Sequence, residues 1–294
     1  MSGARVHSAN APEAPAALPG TREFAYTARD FEKVRRLIHA HAGIALGECK
    51  AELVYSRLAR RVRTLGHGDF ASYIALLEDD AHPEWEYFVN ALTTNQTDFF
   101  REAHHFPILV EHLAKVTGRK ARVWSAASST GEEPYSIAMA LAEAHGTLAP
   151  PVEIRATDLD TGVLQTARNA VYPAERVANL EAARLKRFFL KGHGAREGSV
   201  RVRRELCQLV TYGQLNLRDA TWDMDGPFDA IFCRNVLIYF DKPTQREVLQ
   251  RLAARLADDG LMFAGHSESL LHVADLFSPC GRTVYRKAGG ARGR

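Results

Sequence analysis

Arg122–Leu141, RVWSAASSTGEEPYSIAMAL, is the stretch whose reading decides the fold. Val123 and Trp124 begin an apolar run that continues through small residues to Ala127 and meets a Ser-Ser-Thr-Gly turn. Glu132 and Glu133 follow, and Pro134 opens a segment in which Ile137 and Leu141 stand four residues apart. Gly131 permits a backbone dihedral that other residues resist, small residues let a ligand approach the main chain, and proline suits a first helical position. A strand, a tight turn and a helix N-terminus in that order form the opening of a nucleotide-binding α/β unit. Such an N-terminus attracts anions, yet two carboxylates stand where a diphosphate would lie. The expected ligand is therefore neutral or cationic at this point. S-adenosylmethionine (SAM), with a sulfonium, an ammonium, ribose hydroxyls and no phosphate, has the required sign. An NAD dehydrogenase is disfavoured, because no G-x-G-x-x-G follows the first strand.

Downstream, Val152–Asp160 (VEIRATDLD) reads as a second strand ending in acids. Asp158 lies 27 residues past Gly131, near the ~20-residue interval at which an acid reaches a ribose hydroxyl pair. Asp160, before Thr161-Gly162, suits a helix cap. Helices are expected over Val163–Val171 and Glu181–Phe189, and then Gly192, Gly194 and Gly198 interrupt. Val200 and Val202 alternate with Arg201 and Arg203, and Leu206–Tyr212 reads as another strand. The region from Lys191 to about Val210 is thus a small antiparallel excursion, either a solvated hairpin or a strand edge able to accept a peptide. In FDAIFCRNVLIYF (Phe228–Phe240), Ile231 and Phe232 are a buried strand, and Arg234 and Asn235 stand at its carboxyl end. Thr244 and Glu247 have capping-box spacing before a helix that Gly260 closes, a strand follows at Leu261–Ala264, and a terminal antiparallel pair ends at Arg282–Tyr285.

Upstream, residues 1–22 are rich in Ala, Pro and Gly and are expected to form a disordered tail. Residues 23–92 read as all-helical: Phe31, Val34, Leu37 and Ile38 on one helix, Leu53, Leu58 and Val62 on the next, then Phe70–Leu77 and Trp85–Leu92. The second helix carries Arg57, Arg60, Arg61 and Arg63, either a solvated face or a docking stripe for an acidic partner. The junction TTNQTDFFREAHHFPILVE (Thr93–Glu111) is too polar for a plain linker and should line something. Phe99, Phe100 and Phe106 would anchor it, with Arg101 beside them. His104 and His105 are adjacent, do not share a helical face and make a poor chelating pair, so no metal is expected. Hydrophobic content of 46% and charged content of 25% are those of a soluble globular chain. Four cysteines without C-x-x-C spacing argue against zinc and disulfides, making a reducing cytoplasm the default. A net charge of +3 does not imply nucleic acid.

TTNQTDFFREAHHFPIL, RVWSAASSTGEEPYSIA, ATDLD, FDAIFCRNVLIYFDK and GLMFAGHSES together resemble the CheR-type chemotaxis receptor methyltransferases, which are SAM-dependent protein-glutamate O-methyltransferases. The resemblance runs from about Asn90 to Tyr285, and more weakly over the preceding helices. It implies an α/β class I SAM-dependent methyltransferase fold, Rossmann-like, with a seven-stranded sheet ending in an antiparallel hairpin. It further implies an all-helical, receptor-facing domain over 23–92, a methyltransferase domain over 93–288 with its β-subdomain at about 191–210, and a tail over 289–294. The implied cofactor contacts are Asn95, Thr97, Arg101, Glu133, Asp158, Asn216, Leu217, Arg234 and Asn235, with Tyr239 in the active-site position beside Arg101. The implied product is S-adenosylhomocysteine (SAH). The implied partners are the cytoplasmic helices of methyl-accepting chemoreceptors and, at GHGAREG, a receptor C-terminal tethering peptide. A base-methylating RNA enzyme is disfavoured, because Arg-Asn-Val stands where such relatives carry a Pro-Pro-Tyr-like turn. A SAM-binding adaptor without turnover is the other alternative.

Overall fold

The computed structural model describes residues 22–289. The tails expected at the two ends lie, apart from Arg22 and Gly289, outside those residues. Four helices come first: α1 (Ala28–Ala42), α2 (Ala51–Thr64), α3 (Phe70–Ala75) and α4 (Glu84–Leu92). Thr27 caps α1 in a capping box, accepting the Asp30 amide while the Asp30 carboxylate accepts the Thr27 amide. Phe31, Val34 and Ile38 recur on one face and bury against Leu58, Val62, Phe70 and Tyr73.

Most of the arginine stripe on α2 serves the domain itself. Arg61 forks onto Glu84 at 2.8 and 2.6 Å, and Glu84 is only 3% exposed. Arg63 pairs with Glu23, and Arg57 donates to the carbonyls of Leu92 and Thr93. Arg60 remains exposed.

The α/β part runs α5 (His105–Leu113), β1 (Ala121–Ser125), α6 (Glu132–Ala144), β2 (Val152–Asp158), α7 (Thr161–Asn169), β3 (Val171–Pro173), α8 (Ala182–Phe188), β4 (Phe189–Lys191), β5 (Ser199–Val202), α9 (Arg204–Cys207), β6 (Val210–Gln214), β7 (Phe228–Cys233), α10 (Lys242–Arg255), β8 (Leu256–Ala264), β9 (Phe277–Gly281) and β10 (Val284–Lys287). A seven-stranded sheet has the order β6-β2-β1-β7-β8-β10-β9. It is parallel except for β10, which runs antiparallel to both β8 and β9. Alternation sends successive side chains to opposite faces. Val123 accordingly packs with Ile137 and Phe232, whereas Trp124 packs with Trp222 and Leu249.

Several local expectations are corrected. The small sheet, order β3-β5-β4, begins at Val171 rather than near Lys191. The strand expected over Leu206–Tyr212 is the single turn of α9 followed by β6, which belongs to the large sheet. Asp241, not Thr244, caps α10 by accepting the Thr244 amide at 2.9 Å. Helix α10 ends at Arg255, and Gly260 lies within β8. Pro134 is the third residue of α6, whose N-cap is Gly131.

Gly131 has φ +96°, and a Cβ there would lie 2.9 Å from the Tyr212 hydroxyl and from Ala167 Cβ, and 3.0 Å from the Tyr172 hydroxyl. Gly131→Ala is expected to lower stability by about 1–3 kcal/mol. Urea denaturation followed by circular dichroism measures this, and an unchanged midpoint would contradict the packing described.

Candidate active site

In an open parallel sheet, ligands bind beyond the carboxyl ends of the strands. A cavity opens there, between the ends of β1, β2, β6 and β7, the junction 93–101 and the helical domain's Ala42, Ile44 and Leu92. All ten residues anticipated from the sequence line it: Asn95, Thr97 and Arg101 from the junction, Glu133 from α6, Asp158 from β2, Asn216 and Leu217 after β6, and Arg234, Asn235 and Tyr239 after β7.

An ion pair, Glu133 with Arg234, lines the cavity. Arg234 is 7% exposed, and its guanidinium donates to Glu133 at 3.1 Å and to the Arg101 carbonyl at 2.5 Å. The Ser125 hydroxyl donates to the other Glu133 oxygen at 2.7 Å. Burial pushes the Glu133 carboxyl above its ordinary value, against the pull of Arg234 and Ser125. Glu132, the other acid of the pair, does not face the cavity. It is 1% exposed and pairs with Arg176 at 2.6 Å, while Arg176 also holds the Thr97 carbonyl at 2.5 Å.

Asp158 lines the cavity from the end of β2. Its carboxylate accepts the Ser129 amide at 2.8 Å and the Asp160 amide at 3.0 Å, and burial pushes its pKa up to about 6. Asp160 is the cap of α7, as expected, accepting the Gly162 and Val163 amides. It also accepts from the Thr93 hydroxyl at 3.0 Å and the Asn95 side-chain Nδ2 at 2.7 Å, which fastens the junction to the end of β2. The Asn95 carbonyl accepts the Ser129 hydroxyl at 2.9 Å. Asn216 donates to the His41 carbonyl at 2.7 Å, and Leu217 reaches the core around Trp124.

The wall after β7 is held by a residue the sequence reading did not single out. Glu268, 6% exposed, accepts the amides of Asn235, Val236, Leu237 and Gly265 at 2.6–2.9 Å. Asn235 takes φ +59°, and a Cβ on Gly265 would meet its side-chain nitrogen at 2.3 Å. Tyr239 follows in a single 3₁₀ turn, its carbonyl accepting the Ala45 amide at 2.8 Å from the helical domain. The only sequence signal for Glu268 was an acid among small residues after an apolar strand.

Arg101 donates to the Gln96 carbonyl at 3.0 Å and is flanked by Phe100 at φ +55° and Glu102 at φ +54°. Left-handed geometry costs a non-glycine residue about 1–2 kcal/mol, so the segment is held against strain. Because residues 99–104 form turns rather than helix, donor atoms of Glu102, His104 and His105 come within 4.8 Å of one another, contrary to the helical argument for separating the histidines. The Arg234 guanidinium lies 3.7 Å from Glu102, which sets a cation against a cation there.

These groups fit SAM. Ala126 and Ala127 add little side chain to the β1 wall, and Asp158 is bonded only to backbone amides, leaving acceptor capacity toward the cavity. The negative ends that would repel a diphosphate are Asp158 and Glu133, not Glu132. Sheet order and cavity together define a class I SAM-dependent methyltransferase. The family model described as CheR methyltransferase, SAM binding domain, matches residues 95–286, and that described as CheR methyltransferase, all-alpha domain, matches residues 29–93. The chain is 52% identical over 276 residues to chemotaxis protein methyltransferase 2 of Pseudomonas aeruginosa, covering 93% of this chain and 98% of that one. It is 50% identical over 266 residues to the chemotaxis protein methyltransferase of Escherichia coli, covering 90% and 93%. The chain belongs to the CheR methyltransferase family, and SAM is its methyl donor. Among the described residues, no helix is long and apolar enough to cross a membrane.

Glu268→Ala would strand four amides at once, those of Leu237 and Gly265 buried and those of Asn235 and Val236 partly so. It is expected to lower stability by about 2–4 kcal/mol, measured by thermal unfolding, and a loss under about 0.5 kcal/mol would contradict the clamp.

Proposed function

We propose that this enzyme transfers the methyl group of SAM to glutamate side chains on the cytoplasmic helical bundle of chemoreceptors, forming glutamate methyl esters in chemotactic adaptation, and that it works in the cytoplasm. The observation that carries the reading is the convergence of Arg101, Tyr239, Asp158 and the Glu133–Arg234 pair on one cavity, in a chain that matches both CheR family models.

A glutamate side chain has an ordinary pKa of ~4.3, so at pH 7 it is already an anionic nucleophile and no general base is needed. When bound, SAM supplies an electrophilic methyl on a cationic sulfur. The protein's residues bind, orient and exclude water. Asp158 accepts from ribose hydroxyls. Asn95, Thr97, Asn216, Leu217 and Asn235 complete the cofactor cradle. Arg101 and Tyr239 hold the incoming carboxylate at the reacting end, and Arg234 with Glu133 forms the floor beneath them. Such orientation contributes up to about 7–11 kcal/mol in favourable intramolecular cases.

In this reading the helical domain over 23–92 faces the receptor, with Arg60 as its freest guanidinium on α2. A receptor C-terminal peptide would add to β4, one of the two edge strands of the small sheet, where Leu190 is 47% exposed. Methyl transfer from labelled SAM to receptor-bearing membranes, with alkali-labile release as methanol, tests the ester. Alkali-stable label, or no incorporation, would overturn it in favour of nucleobase methylation or a non-catalytic adaptor.

Ionised Asp158 accepts hydroxyls more strongly than the protonated acid does, so SAH affinity falls as the pH drops through ~6, by up to about tenfold per pH unit. Calorimetry between pH 5 and 7.5 measures the slope, Asp158→Asn should flatten it, and an affinity independent of pH in the natural chain would contradict the role. Arg101→Lys keeps the charge but loses the planar fork. Its kcat should fall by at least about tenfold while unfolding is unchanged, and near-normal turnover would remove Arg101 from the mechanism.

A further inference from the structure

We propose that Glu102 is a positioning residue for methyl transfer: its carboxylate ties the loop after β8 and the Arg234 guanidinium to the segment that presents Arg101. The inference rests on the proposed role of Arg101. Glu102 does not line the cavity, whereas Arg101 and Arg234 do, so it acts through them.

Its side chain is 9% exposed and faces three elements. Oε1 accepts the His266 amide at 3.1 Å and lies 3.0 Å from the His266 ring Nδ1. Oε2 lies 3.7 Å from the Arg234 guanidinium and 3.9 Å from His105 Nδ1, both buried, and makes no hydrogen bond among the described residues. Arg234 in turn donates to the Arg101 carbonyl. The chain from Arg101 to Glu102, across to Arg234 and back to the Arg101 carbonyl is therefore a closed loop of contacts.

That loop has something to hold. Residues on both sides of Arg101 are in the left-handed region, which a phenylalanine and a glutamate leave readily when unsupported. The Phe100 amide is fixed by the Ser136 hydroxyl at 2.8 Å, and on the other side the Glu102 carboxylate is the fixing group. Arg234 lies between two carboxylates, Glu133 and Glu102. Without the second, the guanidinium is drawn toward Glu133 alone and away from the Arg101 carbonyl. Burial raises the Glu102 carboxyl, but the His266 hydrogen bonds with Arg234 and His105 outweigh it, so its pKa lies below the ordinary value and the group is ionised at neutral pH. The geometry asks for a charge here as well as a shape.

The test is a double-mutant cycle on the full chain. Glu102→Gln, Arg101→Lys and the double variant are assayed for kcat and both KM values, with SAH affinity by calorimetry and thermal unfolding alongside. E102Q is expected to lower kcat by about 10- to 100-fold, the scale of a misplaced reacting group, while SAH affinity stays within about threefold. In the R101K background the same change should lower kcat little further, because both act through one group. Turnover of E102Q within about twofold of the natural chain, multiplicative losses in the double variant, or SAH affinity falling in step with kcat would each overturn the proposal. If E102Q does not fold, Glu102→Asp is read by the same criteria. Normal turnover of R101K alone would instead sink the Arg101 reading, and this one with it.

Discussion

The site depends on a guanidinium taken out of water. Arg234 stands at the carboxyl end of β7, bonded to Glu133 at the start of α6 and to the Arg101 carbonyl of the junction. Burying two charges is costly unless geometry and further hydrogen bonds compensate, and removing one partner of such a pair typically costs about 3–5 kcal/mol. Here the compensation comes from two segments, through the Ser125 hydroxyl at the end of β1 and, from the junction, the Arg101 carbonyl and the nearby Glu102. Strand order makes this possible, because β1 and β7 are parallel neighbours and their carboxyl ends emerge side by side. The small-residue turn after β1 and the loop that carries Tyr239 accordingly line one cavity.

The helical domain belongs to this arrangement. Gly43 ends α1 at φ +72°, and Ile44 then pairs with Phe240 while the Ala45 amide reaches the Tyr239 carbonyl. His39 contacts Asp241 at 2.9 Å, Asn216 reaches the His41 carbonyl, and Arg57 holds the carbonyls that begin the junction. The helical domain thus fixes the backbone of residues that line the cavity. Its polar contacts fall on the loops around the cavity.

Much of this was legible in the sequence, for identifiable reasons. The β1–turn–α6 unit declares itself through local chemistry, since Gly131 is required by both φ and close packing. Asp158 is legible because a strand fixes its distance from that turn, and the density of capping residues over Thr93–Thr97 reflects their bonds to Asp160 and Ser129. What was illegible depends on partners distant in the chain. Glu132 reads as a ligand-facing acid until Arg176, 44 residues on, is found to occupy it. Glu268 serves amides about 30 residues upstream, and spacing carries no trace of that. At α10, Asp241 and Thr244 both satisfy cap chemistry, and only the backbone decides between them, for Asp241. The two adjacent histidines were separated by a helical assumption that the left-handed residues at 100 and 102 break.

The account stands on a donor held by carboxylates at the sheet's edge, with its reacting end over the Arg101, Tyr239 and Arg234 groups. A crystal structure of the SAH complex tests it most directly. The account predicts ribose hydroxyls within hydrogen-bond distance of Asp158 and the homocysteine sulfur directed toward Arg101 and Tyr239, with the Glu133–Arg234 pair intact. A nucleoside bound elsewhere, or one that leaves Asp158 without a ligand contact, would contradict it.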